Sequence, residues 1–276
     1  MKRFAFTLDL ESDYSGLFTE QYEIFKTPDR IKELLDILMN FGVPTSIFCV
    51  GRIFELFPEI IKLFEQYKCE FHVHSYSHDL NSPDSESEIT ASKNVYFNYF
   101  KRFPIGYRSP QGKITAKGIS LLEKHSYLFD SSIFPSFYPN PFLYFFKDRN
   151  VHAVKGSTIV EIPFTSITPI RLNFAMSYVK YFGLNFYKNI FKLFPPPDFI
   201  CFDSHLHDLI FNKNSYDKLP SIIWKKFHGR NNDMGLNYLK DVLSFFSVKG
   251  YSFCGMTEVY ESYIKERLER EDNRVN

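Results

Sequence analysis

At 276 residues, 44% of them hydrophobic, the chain can bury a full core, and its length suits either two small domains or one α/β barrel. Lys and Arg number 33 against 32 Asp and Glu, a net charge of +1 that gives no general attraction to phosphate backbones, so no nucleic-acid partner is expected. Four scattered cysteines (Cys49, Cys69, Cys201, Cys254) form no C-x-x-C pair, which argues against a zinc knuckle or a disulfide framework and for reduced thiols.

In chain order, "MKRFAFTLDLESD" contains a short apolar strand, "RFAFTL", that stops at acidic residues. Asp9 arrives before any apolar region of useful length, so no signal peptide is expected there. "TPDRIKELLDILMNFGVP" follows as a helix, with Pro early, apolar residues at Ile31, Leu34, Leu35 and Leu38, and Gly42 as its stop. "TSIFCVG" reads as a buried strand, "FPEIIKLFEQYK" as a helix and "EFHVHS" as a third strand. Helix "ESEITASKNVYFNYFKRF" precedes "PIGYRSP", and "TAKGISLLEKHS" precedes "YLFDSS". "VEIP" reads as an edge strand before a proline, with Glu161 structural, and "FICFDS" as a further strand. Asn212 to Met234, rich in Lys, Asn and Asp, reads as a loop-like excursion before a last helix, "LNYLKDVLSFFSVKG", and a last strand, "YSFCGM". Repeated β-α units without an intervening linker predict a parallel sheet within one domain, residues 1–276. No apolar run approaches the roughly 20 residues of a membrane span.

Catalytic groups of parallel α/β folds gather where strands end at their carboxyl edge. Four of the expected strand ends carry such groups: Asp9, Glu11 and Asp13; His74 and His78; Arg108; and His205 and His207. "EFHVHSYSHDL" holds three of the eight histidines. The spacing of His74 and His78 suits two imidazoles on one side of a helical turn, ligating one cation. "DLESD" offers three carboxylates for a third ligand, while His72, about two residues deeper, reads as a packed core histidine.

Taken together these segments resemble the metal-dependent polysaccharide deacetylases, which remove N-acetyl groups from chitooligosaccharides, peptidoglycan and related sugars. "FTLDLESD" is similar to the family's first motif, "CEFHVHSYSHD" to the second, "YRSPQGKIT" to the third, "FDSSIFPS" to the fourth and "FDSHLHD" to the fifth. "VEIPFTSITPIRL" is similar to the segment before the fifth motif in the branch acting on cell-surface sugars. Two departures stand out. The commonest first motif has adjacent aspartates, whereas Leu10 separates Asp9 from Glu11 here, and the fifth normally has one histidine rather than two.

The resemblance implies a distorted (β/α) barrel and a divalent metal, zinc being the expected ion, held by Glu11, His74 and His78, with Asp13 as competitor to Glu11. It implies Asp9 as general base, Arg108 fixing that base through a charge-assisted pair, and a histidine as general acid. His205, nearer the strand end, is preferred to His207. Asp130 either orients that imidazole or caps a turn. The expected reaction is removal of an acyl group, N-acetyl above all, from an amino sugar of a cell-surface polysaccharide or its lipid-linked precursor. Two alternatives are an amidohydrolase of the same fold acting on a small amide or imide, and a non-catalytic carbohydrate-binding relative.

The 32 Phe and 18 Tyr concentrate in residues 134 to 146 and 178 to 194. They read either as core or, with Lys180, Lys188 and Lys192, as a surface for peripheral membrane contact. With no signal peptide expected, the sequence predicts a cytoplasmic protein, at the inner face of the membrane where lipid-linked N-acylated sugars would be met.

Overall fold

In the computed structural model, residues 1–14, 21–136 and 144–275 are described. A parallel sheet carries strands β1 (Arg3–Leu10), β2 (Thr45–Cys49), β3 (Glu70–Val73), β4 (Gly106–Tyr107), β5 (Phe129–Asp130), β6 (His152–Ala153), β7 (Val160–Glu161) and, after the two-stranded hairpin β8 (Ser166–Ile167) and β9 (Leu172–Asn173), β10 (Phe199–His205) and β11 (Ser252–Phe253). Its order is β10-β1-β2-β3-β4-β5-β7-β6, with β11 beside the start of β1. All these pairings are parallel except β6 with β7.

The sheet curls into the expected distorted barrel. Its last gap is bridged without a ladder: Thr165 N donates to Cys201 O at 3.2 Å, and Cys201 N donates to Thr165 Oγ1 at 2.8 Å. "VEIP" is therefore not an edge, because β7 has β5 on one side and β6 on the other.

Alternation along the strands decides what faces inward. On β1, Phe4, Phe6, Leu8 and Leu10 pack outward against the helices in the larger apolar cluster, leaving Ala5, Thr7 and Asp9 on the other face. On β10, Ile200 and Phe202 join that cluster, while Cys201, Asp203 and His205 alternate with them. Register pairs Asp9 with His205 and Thr7 with Asp203, so the small and polar residues of two neighbouring strands meet inside the barrel.

Two C-terminal features differ from the sequence reading. The excursion before the last expected helix is itself helical, at Lys213–Asp217 and Ile222–Gly229. Asn212 accepts from Ser215 N at 3.2 Å and Ser221 from Trp224 N at 3.3 Å, capping two orphan donors. A 20-residue helix, Met256–Val275, follows β11. Glu70 on β3 receives the first amides of that helix, from Met256 N at 2.5 Å and Thr257 N at 3.3 Å. Among the described residues, no helix is long and apolar enough to cross a membrane.

Candidate active site

The carboxyl ends of β1, β3, β4 and β10 open into a cavity of about 540 Å³. On one side, His78 Nε2 lies 2.9 Å and His74 Nε2 3.5 Å from Glu11 Oε2. Ligand atoms of these three residues all lie within 4.8 Å of one another. The His74–His78 segment is not the expected helical turn. It is a loop bent by Ser75 (φ 56°) and His78 (φ 61°), non-glycine residues in the left-handed region, a cost of about 1–3 kcal/mol each that packing must hold.

Chemically the trio fits a cation. His74 Nδ1 lies 2.9 Å from the carbonyl oxygen of Arg108, which can only accept, so the Nδ1 proton points there and the Nε2 lone pair faces the carboxylate. Two acceptor groups turned toward each other suit a shared metal. Burial pushes the Glu11 carboxyl up, but His78, His205 and His74 hold it well below the usual range.

Asp9 sits beside this trio. Arg108 Nη1 donates to Asp9 Oδ1 at 2.5 Å and to Asp203 Oδ1 at 2.8 Å. Asp9 Oδ2 is then the oxygen that faces His74 Nε2 at 3.7 Å and His205 Nε2 at 3.8 Å. The guanidinium lies between two rings, 3.8 Å from Phe48 and 4.3 Å from Phe164, and its Nε donates to Ser131 O at 3.1 Å. Burial and the Asp9 charge push the Asp203 carboxyl up to about 7.

His205 and His207 are placed differently. His205 Nε2 is 3.7 Å from Glu11 Oε1, and its Nδ1 is 3.4 Å from Asp208 Oδ2. Burial works against a charge on His205, yet Glu11, Asp208, Asp203 and Asp9 push its pKa well above the ordinary value. His207 Nδ1 instead accepts from Tyr14 N at 3.3 Å, and burial pushes its pKa well down.

The group beside the His205 ring is therefore Asp208, not Asp130. Asp130 accepts from Ser132 Oγ at 2.6 Å and pairs across the ladder with the equally buried Glu161. Burial pushes both of these carboxyls up, Asp130 to about 6. Asp208 accepts from Ser177 Oγ at 2.5 Å and is ion-paired to Lys180 Nζ at 3.2 Å. Burial would raise the Asp208 carboxyl, but Lys180 and His207 hold it well below the usual range. Lys180, read from sequence as part of a basic surface, is 1% exposed.

Other expectations separate in the same way. Asp13 accepts from Glu23 N at 2.8 Å, Ile24 N at 3.2 Å and Ser215 Oγ at 2.5 Å, so its oxygens serve the chain rather than the trio. His72 is buried against Phe48 and Phe129, with Nε2 3.4 Å from Glu70. In residues 178 to 194, Val179, Leu184, Tyr187 and Phe191 are core, while Phe182, Phe186, Leu193 and Phe194 are exposed. Of the other aromatic stretch, residues 137–143 lie outside the described residues. All four cysteines are free thiols.

Sequence reasoning missed Asp203, Asp208 and Lys180. The two aspartates lie in the quoted "FDSHLHD", and strand alternation puts Asp203 on the face of His205. Nothing local signals Lys180. The roof of the cavity was missed as well: Trp224, Phe227 and His228 line it from the helix Ile222–Gly229. Trp224 stacks on His228 with ring centroids 5.7 Å apart, and burial pushes the His228 pKa down to about 4.

With this geometry in hand, the known proteins similar to the chain can be compared. The sequence model of the polysaccharide deacetylase family matches residues 18–129. The peptidoglycan deacetylase-like protein FGM2 of Gibberella zeae is 27% identical over 128 residues, 44% of this chain and 36% of that protein, so the match spans about a third of its length. A solved probable polysaccharide deacetylase from Pseudomonas aeruginosa PAO1 superposes with a TM-score of 0.63 at 13% identity, covering 96% of this chain and 92% of that one. Puue allantoinase does so with a TM-score of 0.62 at 12% identity, covering 94% and 90%. The chain carries a match to the polysaccharide deacetylase family in residues 18–129, which takes in the second and third of the five motifs, and has the fold of solved proteins of that name.

Proposed function

We propose that the chain is a metal-dependent hydrolase that removes an acyl group, N-acetyl above all, from an amino sugar of a cell-surface polysaccharide or of its lipid-linked precursor, met at the cytoplasmic face of the membrane. The observation that carries this reading is the convergence of Glu11, His74 and His78 next to an Arg108-held Asp9, with His205 facing both.

A divalent metal held by Glu11, His74 and His78, zinc by the donor set, would polarise the amide carbonyl and lower the pKa of a water. The chain's own groups do the rest. Arg108 occupies Asp9 Oδ1, which leaves Oδ2 to take the proton of the attacking water. Asp208 orients the His205 ring through Nδ1, and His205 Nε2 gives a proton to the departing sugar amine.

The test is metal analysis of the purified protein together with acetate release from free and lipid-linked N-acetyl sugars. His74→Ala should lose both the bound metal and the activity. Unchanged metal stoichiometry in that variant would show the ligand assignment to be wrong.

A second reading is favoured by one feature: Trp224, Phe227 and His228 give the cavity an aromatic wall, and a site of this size suits a small amide or imide as well as a sugar. Turnover of cyclic amides with no acetate released from any sugar would select it.

A further inference from the structure

The roof helix Ile222–Gly229 has two sides with different environments. Inward, Trp224, Phe227 and His228 line the cavity. At its outer tip, Ile222 and Ile223 are 67% and 73% exposed, side by side, at the first turn. A lone exposed isoleucine needs no explanation, but an adjacent pair at the mouth of a catalytic cavity does; Ile223 itself reaches the cavity.

The segment that carries this tip is basic, although Lys213 is paired with Asp217. Residues 213–230 carry Lys213, Lys218, Lys225, Lys226 and Arg230 against the single acid Asp217, in a chain whose whole net charge is +1. Lys226, one turn on from Ile222, is exposed, and so is Arg230, at the opposite end of the helix over the Tyr181 ring. The helix against which the roof stacks, Met176–Phe182, meets it through Tyr181 and Phe227 with centroids 5.0 Å apart. That helix ends in the exposed Phe182, stacked on the exposed Phe186 at 4.9 Å. From Met176 to Phe194 no acidic residue occurs.

We infer that the tip of the roof helix, with Ile222 and Ile223 inserted and Lys226 one turn on from Ile222, is a docking surface for an anionic lipid bilayer, which sets the cavity mouth on the membrane. Apolar side chains flanked by basic ones are the composition that rests at the headgroup boundary. Each basic residue close to an anionic surface is worth about fivefold in partition. The inference deepens the lipid-linked reading of the substrate and rests on it for the purpose of the contact, though not for the contact itself.

The experiment is sedimentation of the full chain with vesicles of phosphatidylcholine alone and of phosphatidylcholine with about a third phosphatidylglycerol. The chain should pellet with the anionic vesicles, far less with the neutral ones, and should be released by raised salt. Ile222→Glu and Lys226→Glu should each weaken partition by at least about tenfold while keeping the thermal midpoint of the parent. Equal binding to both vesicle types, no binding at low salt, or parent-like binding by both variants overturns the inference. So does a dimer in solution that Ile222→Glu splits, which would give the surface to a second copy. Acetate release separates the two failures: turnover of soluble N-acetyl sugars without vesicle binding sinks only the docking surface, and vesicle binding without deacylation of any sugar sinks only the proposed reaction.

Discussion

The floor and the roof of the cavity hold their groups by different means. On the floor, Asp9, Asp203 and His205 stand on strands whose register is fixed by ladder hydrogen bonds, and Arg108 ties two of the carboxylates into one nest. The roof helix has no ladder: Phe227 and His228 are placed by ring contacts to Tyr181, Tyr14 and His207, and the helix starts on the Ser221 cap. Charges crowd the floor because each has a partner, whereas the roof keeps its histidine neutral by burial. The groups proposed to move protons thus stand on paired strands, whereas the aromatic groups of the roof stand on a short helix held by side-chain contacts.

Kinetics break the comparison most sharply. Asp9→Asn and His205→Ala should retain the metal and lose about 10²–10⁴ in kcat, the usual loss on removing a proton-transfer group. His207→Ala, whose ring serves the Tyr14 backbone, should lose far less. Steady-state rates on an N-acetyl sugar decide this, and a dead His207→Ala beside an active His205→Ala reverses the assignment.

Stability is the next largest difference. Arg108→Met leaves Asp9 and Asp203 buried without their cation, so denaturant unfolding should show a loss of about 3–5 kcal/mol. A loss below about 1 kcal/mol would mean that the floor is not held by its charges.

Acid should separate the two regions. Burial pushes the His228 pKa down to about 4, so the unfolded chain takes up a proton that the folded roof refuses, and roof stability present above pH 6.5 is lost as pH falls toward about 4. Glu70, under the sheet, is pushed up by burial but held at about 2 by His72 and Ser46, against an ordinary value of 4.5. Its contribution, about 3 kcal/mol, is present above pH 4.5 and lost as pH falls toward about 2. The single Trp, Trp224, lies on His228 and reports the roof alone. Its emission should change at a higher pH than far-ultraviolet dichroism, and His228→Phe should bring the two transitions together. Coincident transitions in the parent chain would show that roof and floor unfold as one unit.

By itself the sequence determined the parallel sheet and most of its strands, because the period-two alternation of "RFAFTLDL" and "FICFDSH" fixes which side chains share a face wherever those strands pair. Which face of one strand meets which face of the other was decided by the register that sets Asp9 opposite His205. The five ordered motifs supplied the remaining candidates. Tertiary structure alone decided which candidates meet. Asp13 and Glu11 are two residues apart in an acidic run, yet Asp13 turns to the amides of Glu23 and Ile24 while Glu11 turns to the imidazoles. His74 and His78 converge through a left-handed loop rather than a helical turn, a backbone state that residue spacing does not encode. Lys180, Asp208 and His205 form a line across a helix and a strand end, and Arg108 reaches Asp9 from 99 residues away. Periodicity reports only neighbours along one element, whereas the state of a buried charge depends on partners brought by others. The roof was illegible for a related reason. Lys, Asn and Asp mark loops when read locally, whereas Phe227 and His228 of Ile222–Gly229 pack against Tyr181 and Tyr14 from other elements, support that a local reading does not see.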